Sequence, residues 1–117
     1  MDLLRFEMPY PPSVNHYYLP TSTGVILGLK GKKYRRDVIL LLSKYKNLCG
    51  DKRLNITINV FPPDKRKRDI DNILKCTLDT LQHAKVFNDD SQIDMLTVIR
   101  RENVLGGSLQ VWISECS

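Results

Sequence analysis

The chain lacks most of the features that would place it in a specialised class. No window approaches the eighteen or so consecutive apolar residues a membrane span requires. Met1-Asp2-Leu3-Leu4-Arg5 shows neither the basic start nor the apolar run of a signal peptide. There are three cysteines, Cys49, Cys76 and Cys116, with no CxxC spacing. That count and spacing argue against a disulfide framework or a zinc site and for reduced thiols in a cytosolic compartment. The two histidines, His16 and His83, are far apart, and His83 reads as a helix-end residue favoured by the dipole. No Ser-His-Asp arrangement, phosphate-cradling glycine loop, internal repeat or low-complexity tract stands out. Hydrolysis through a histidine-activated nucleophile and nucleotide binding through a glycine loop therefore have no support, and no small-molecule cofactor is expected.

What is present is an ordinary globular composition with a positive excess. The 117 residues suit a single domain over 1–117. Lys and Arg number 18 against 13 Asp and Glu, giving a formal charge of +5. Such an excess favours polyanions, because each neutralised phosphate releases a condensed counterion.

Hydrophobic periodicity supplies the elements. Leu3–Met8 alternates weakly and suits a first strand. Pro9-Tyr10-Pro11-Pro12-Ser13 must be loop, running on through Asn15-His16-Tyr17-Tyr18 to Pro20, and Val25–Leu27 is a short strand. From Lys32 to Cys49, the residues Tyr34, Val38, Leu41, Leu42, Tyr45 and Leu48 form one helical stripe, with Gly50 placed to end it. Leu54–Phe61 alternates strictly and is the clearest strand. A second helix is expected over 70–84. Two strands, 93–101 and 108–115, are expected to pair as a hairpin across Gly106-Gly107. Strands with one apolar face and two amphipathic helices to cover it imply a two-layer α+β domain with a mixed sheet.

The densest chemistry lies in Arg68-Asp69-Ile70-Asp71-Asn72-Ile73-Leu74-Lys75. Asp69 and Asp71 sit where a loop enters a helix, so one reading makes them a cap and a dipole partner. The other makes them ligands for Mg²⁺, which takes hard oxygen donors. The run Lys65-Arg66-Lys67-Arg68 abuts them, and cations that gather phosphates beside acids that hold metal are what phosphodiester hydrolysis requires. Asp71, Lys75 and Asp79 recur every four residues on one helix face. Surface ion pairs are the plainer account, and the preferred one for Asp79, whereas Lys75 is also placed to reach a phosphate. Asn88-Asp89-Asp90 adds carboxylates in a turn. If the chain doubles back there, one of them meets the first two.

These residues resemble a known family. Pro11-Pro12-Ser13-x-Asn15-x-Tyr17-Tyr18, then Pro63 to Asn72 with its basic run and Asp-x-Asp-Asn, then Lys75, then Asp89-Asp90 are similar in order and spacing to the RusA family of Holliday junction resolvases. The resemblance spans nearly the whole chain; lysines replace some arginines in the basic run, and residues 19–29 match poorly. It implies a RusA-like fold and a homodimeric bacterial or phage endonuclease of the cytoplasm, cutting four-way DNA symmetrically in recombination and repair. It implies Mg²⁺, with Mn²⁺ as a substitute, held by Asp69, Asp71 and Asp90, and an essential lysine at Lys75. A two-fold dimer suits a two-fold junction. Lys65, Arg66, Lys67, Arg68, Lys32, Lys33, Arg35 and Arg36, alongside Lys30, would then contact phosphates. Asn15 and Tyr17 would face the DNA, with Tyr17 or Tyr18 stacking on a base. The rival from another class is a non-catalytic basic module that recognises branched DNA and uses its acids only as caps and ion pairs.

Overall fold

A computed structural model of the chain describes residues 2–116. Its main sheet has four strands in the order β1-β6-β4-β5, where β1 is Asp2–Met8, β4 Leu54–Phe61, β5 Ile93–Arg100 and β6 Ser108–Glu115. β6 runs antiparallel to both β1 and β4, while β5 runs parallel to β4. Helices α2 (Leu29–Leu41) and α3 (Leu74–His83) cover one face, giving the expected two-layer α+β architecture with a mixed sheet. β4 shows why it is central. Leu54, Ile56, Ile58 and Val60 are all buried toward the helices and Asn55, Thr57, Asn59 and Phe61 are only half-buried, as a period of two dictates. No helix among the described residues is long and apolar enough to cross a membrane. Cys49 and Cys76 are buried free thiols, and burial pushes both pKa values up.

Three local expectations are corrected. First, β5 and β6 do not form a hairpin, because β4 lies between them. The Gly106-Gly107 turn exists, with φ of 80° and 73°. Its loop, however, passes over the end of β4, where Arg101 N donates to the Val60 carbonyl (2.8 Å) and Val104 N to the Pro62 carbonyl (2.9 Å).

Second, α2 begins at Leu29 and stops at Leu41 instead of running to Cys49. A 3₁₀ turn follows at Ser43–Tyr45. Asn47 N then donates to the Lys85 carbonyl (2.7 Å) and Cys49 N to the Val86 carbonyl (3.4 Å). Those tertiary bonds replace helix continuation. Tyr34, Val38 and Leu42 are buried, while Leu41 and Leu48 are about half-exposed. Gly50 (φ 53°) belongs to the later turn.

Third, the loop expected from Pro9 through Tyr18 to Pro20 holds one helical turn, α1 (Val14–Tyr17), and runs into strand β2 (Tyr18–Thr21). β2 pairs with β3 (Gly24–Leu27) as a separate two-stranded sheet.

α2 is pressed against the end of α1. A Cβ on Gly31 would lie 2.3 Å from the Tyr17 carbonyl oxygen, a backbone atom that cannot swing aside. Gly→Ala inside a helix normally stabilises by about 1 kcal/mol. Here overpacking wins, and Gly31→Ala is expected to destabilise by about 2–3 kcal/mol, read as a lower urea midpoint at unchanged slope.

Candidate functional site

The β4–α3–β5 crossover determines where the acids lie. β4 leaves the sheet at Phe61, and Pro62-Pro63 ends the ladder. The next segment is a folded loop. The Asp64 carboxylate accepts from Arg66 N (2.9 Å) and from Arg68 Nη1 (2.7 Å). Those bonds, that to Arg68 first, hold the Asp64 carboxyl down to about 2. Arg68 is correspondingly the most sheltered of the run and acts as a staple, while Lys65, Arg66 and Lys67 stay exposed.

Asp69 follows, with extended backbone at the N-cap of a 3₁₀ turn, Ile70–Ile73, that leads into α3. Its side chain caps nothing. Asp71 sits in that turn, also exposed. Asp69 is therefore no side-chain cap, while Asp71 occupies the first-turn position that the helix dipole favours.

α3 then carries the chain back along the sheet. Asp90 opens a second 3₁₀ turn, Asp90–Gln92, directly before β5, and its N–H donates to Gln82 Oε1 (3.0 Å) in the last turn of α3. Because β5 is parallel to β4, Ile93 sits beside Leu54 and Arg100 beside Val60. Asp69 and Asp71 lie at the Phe61 end of β4, and Asp90 at the Leu54 end, with a strand of roughly 26 Å between them. The expectation that a returning carboxylate meets the first two within one chain is corrected. Among the described residues no three His, Cys, Asp or Glu side chains are grouped closely enough to hold a metal ion.

Partnering singles out the same three acids. Of the ten aspartates, seven have a hydrogen bond or an ion pair. Asp2 pairs with Arg5, Asp37 with Lys33 and Arg36, and Asp64 with Arg68. Asp51 accepts from Asn88, Asp79 from the Tyr18 hydroxyl, Asp89 from Ser91 and Asp94 from Arg53. Among the described aspartates only Asp69, Asp71 and Asp90 have none. Asp89 and Asp90 are thereby separated on physical grounds: Asp89 is the N-cap, in a reciprocal capping box with Gln92, and the Asp90 side chain is free.

The expected ion pairs on α3 do not form. Lys75 Nζ lies 4.7 Å from the centroid of the Tyr18 ring, whose hydroxyl donates to Asp79. Burial, then that Asp79 bond, raises the Tyr18 pKa well above its ordinary value. His83 is the last residue of α3, the helix-end position expected of it, and burial, then the charge of Arg35, pushes its pKa down.

The nucleic-acid candidates divide. Tyr17 is fully buried, its hydroxyl 2.7 Å from Thr80 Oγ1, so stacking of its ring on a base is corrected to packing in the core. Arg35 Nε donates to that same hydroxyl (3.2 Å). Asn15 is exposed on α1. Lys33 and Arg36 flank Asp37 at 3.4 and 3.9 Å. Lys30 and Lys33 border a hollow with the Pro9–Pro12 segment, whereas Lys32, Arg35 and Arg36 border another, floored by Leu27, Ile39 and Leu40. The α2 cations thus face two directions instead of forming one stripe.

Three positioning residues escaped the sequence reading: Gln82, Gln92 and Arg100, whose Nη2 donates to the Arg68 carbonyl (2.6 Å). Only Gln92 had a local signature, Asp89-x-x-Gln92.

The mixed sheet carries unpartnered Asp69 and Asp71 beside a folded basic loop, and comparison with known proteins places the chain among DNA endonucleases. The family model described as Endodeoxyribonuclease RusA matches residues 9–113. A relative from Enterobacteria phage HK97, named crossover junction endodeoxyribonuclease rusA, is 41% identical over 116 residues, covering 98% of this chain and 97% of that protein. Proteins of the same name from Shigella sonnei (strain Ss046) and Escherichia coli (strain K12) are each 32% identical over 119 residues, with the same coverage. The chain belongs to the RusA family of endodeoxyribonucleases.

Proposed function

We propose that the protein is a Holliday junction resolvase that cuts four-way DNA in paired, symmetric fashion, uses Mg²⁺ (with Mn²⁺ as a substitute), and acts as a homodimer in the bacterial cytoplasm. The observation that carries this is the free state of Asp69, Asp71 and Asp90 in a chain where every other aspartate is partnered. Their oxygen-only chemistry fits Mg²⁺. Bound there, the metal would activate a water and neutralise the leaving oxygen. The names borne by the relatives point to the same substrate.

Within one chain these acids cannot share an ion. Two copies resolve this. β5 is bonded on one edge only among the described residues and exposes Met95 and Leu96. A free apolar edge invites pairing with a second chain. Antiparallel pairing of two β5 edges about a two-fold axis would set the start of each β5, with its Asp90, against the end of the other, where Arg100 meets the Arg68–Asp71 segment. Lys75 and the unpaired Lys65 and Lys67 would bind the phosphates there, and the Arg68–Asp64 staple would hold the loop in shape.

The test is cleavage of an end-labelled synthetic four-way junction beside a matched linear duplex, with Mg²⁺ or EDTA. Mg²⁺-dependent paired nicks on the junction alone are expected. Asp71→Asn should lose more than the roughly 10–100-fold typical of an outer-shell ligand partner. Tight junction binding with no cleavage by the unaltered protein would leave a non-catalytic, structure-selective binding module.

A further inference from the structure

The loop joining β5 to β6 plays no part in the site described so far. Its apex, Leu105, is 99% exposed, more than any other large apolar residue among those described, and Val104 beside it is 39% exposed. An apolar side chain held wholly in water normally sits on a floppy tip. This loop is anchored instead. Arg101 N bonds the Val60 carbonyl, Val104 N the Pro62 carbonyl, and Gly107 N the Val104 carbonyl (2.8 Å). Gly107 is pressed so closely onto Tyr10 and Pro63 that a Cβ there would fall 2.8 Å from Tyr10 Cβ.

Two cations are fixed at its root. Arg101 Nε donates to Asn59 Oδ1 (2.9 Å), and Arg100 Nη2 to the carbonyl of Arg68, the residue before Asp69. The root of the loop is thus tied by one hydrogen bond to the segment that bears Asp69 and Asp71.

The geometry points to Leu105, backed by Val104, as an apolar wedge that enters the base stack at the branch point of the DNA while Arg100 and Arg101 hold the flanking phosphates. This rests on the resolvase reading and adds to it the residue that would open the junction. Apolar side chains inserted between base steps unstack and kink nucleic acid, and they work best from a rigid support. A protein-docking patch would continue into apolar neighbours. Along the chain Arg100, Arg101, Glu102 and Asn103 precede Val104 and Gly106-Gly107 follow Leu105, so the apolar tip is flanked in sequence by charged, polar and glycine positions.

The experiment uses the full chain and a four-way junction carrying 2-aminopurine at the branch point. Fluorescence is read in Ca²⁺ or EDTA, and cleavage rate in Mg²⁺. Unaltered protein is expected to raise the fluorescence several-fold. Leu105→Ser should abolish most of that rise and slow cleavage by tenfold or more, Leu105→Phe should restore both, and Leu29→Ser, at the next most exposed large apolar position, on α2, should change neither. Leu105 packs against nothing, so these variants should fold as the parent does, checked by their melting curves. An undiminished rise with Leu105→Ser, in a protein that still cuts, would overturn the wedge and leave the resolvase reading standing. A slowed Leu105→Ser protein that sediments as a smaller species would likewise overturn it, in favour of a subunit contact. Unaltered protein that neither binds nor cuts the junction would overturn both.

Discussion

Mixed subunits carrying Asp71→Asn in one chain and Asp90→Asn in the other are expected to regain junction cleavage that neither variant has alone. The expectation follows from the parallel crossover. β4 and β5 pair in parallel register from Leu54 with Ile93 to Val60 with Arg100, so Asp69 and Asp71 occupy one end of the sheet and Asp90 the other. If a complete site takes Asp69 and Asp71 from one copy and Asp90 from its partner, each homodimeric variant has two defective sites. In the mixed dimer the two substitutions fall in the same site, and the second site is whole. Random assembly makes half the dimers mixed, each with one intact site of two, so about a quarter of the parental sites return. The product changes as well: a single intact site nicks one strand at a time, so nicked junctions should accumulate where the parent gives paired cuts. The assay is coexpression with two affinity tags, purification of the doubly tagged dimer, and strand-specific cleavage. A verified mixed dimer that stays inactive would place the whole site in one chain.

The reason the sequence alone could not foresee this lies in pairing direction. The strands and helices around the acids were legible. Leu54, Ile56, Ile58 and Val60 alternate so strictly that β4 falls where expected, and of the face expected for the second helix (Ile70, Ile73, Leu74, Thr77, Leu78 and Leu81) Ile73, Thr77 and Leu81 are buried while Ile70 is exposed. The local geometry of Gly106-Gly107 was legible too, since both glycines do adopt positive φ. What those residues do not encode is the neighbour. A glycine turn serves equally between adjacent strands and between strands separated by a third, and here β4 stands between. With β5 assigned to a hairpin, nothing fixed the end of the sheet at which Asp90 lies. Nonlocal bonds also shortened α2, because the carbonyls of Lys85 and Val86 that capture Asn47 and Cys49 belong to a segment far along the chain. Tyr17 and Tyr18 look alike in sequence, yet one is buried against Thr80 and the other shields Asp79 beneath Lys75. By contrast, the capping of Asp89 has a local signature, whereas the choice of Asp90 as metal ligand comes from the family resemblance. An aspartate three residues before a glutamine is already committed as a cap, which leaves its neighbour free.

That glutamine carries the other large expected effect. Gln92 is only 6% exposed and uses its whole amide. Oε1 accepts from Asn88 N and Asp89 N, both at 2.8 Å, and Nε2 donates to the carbonyls of Gly50 (2.9 Å) and Lys52 (2.8 Å). One side chain therefore ties the turn that presents Asp90 to the turn that precedes β4. Gln92→Leu keeps the volume and removes every bond, leaving four backbone groups without partners in a sheltered place. At about 1–3 kcal/mol for each buried orphan, and with water reaching some of them, a net loss of about 3 kcal/mol is expected. For a chain of this size that is a fall in Tm of roughly 10 °C. Gln92→Glu preserves the two acceptor bonds but turns a carboxylate toward two carbonyls. It donates to a carbonyl only when protonated, so its deficit should shrink as pH is lowered and grow as pH rises. Stability alone does not separate a positioning residue from a structural one, and the division is made well below both melting temperatures. There the basic loop and Lys75, at the far end of the sheet, are untouched, and junction affinity in EDTA should match the parent. The Mg²⁺ concentration for half-maximal cleavage should rise about tenfold, because Asp90 is no longer held in one orientation. An unchanged Mg²⁺ requirement in a folded Gln92→Leu protein would confine Gln92 to stability. A raised one, with binding intact, would show that the turn at the start of β5 presents Asp90 to the metal.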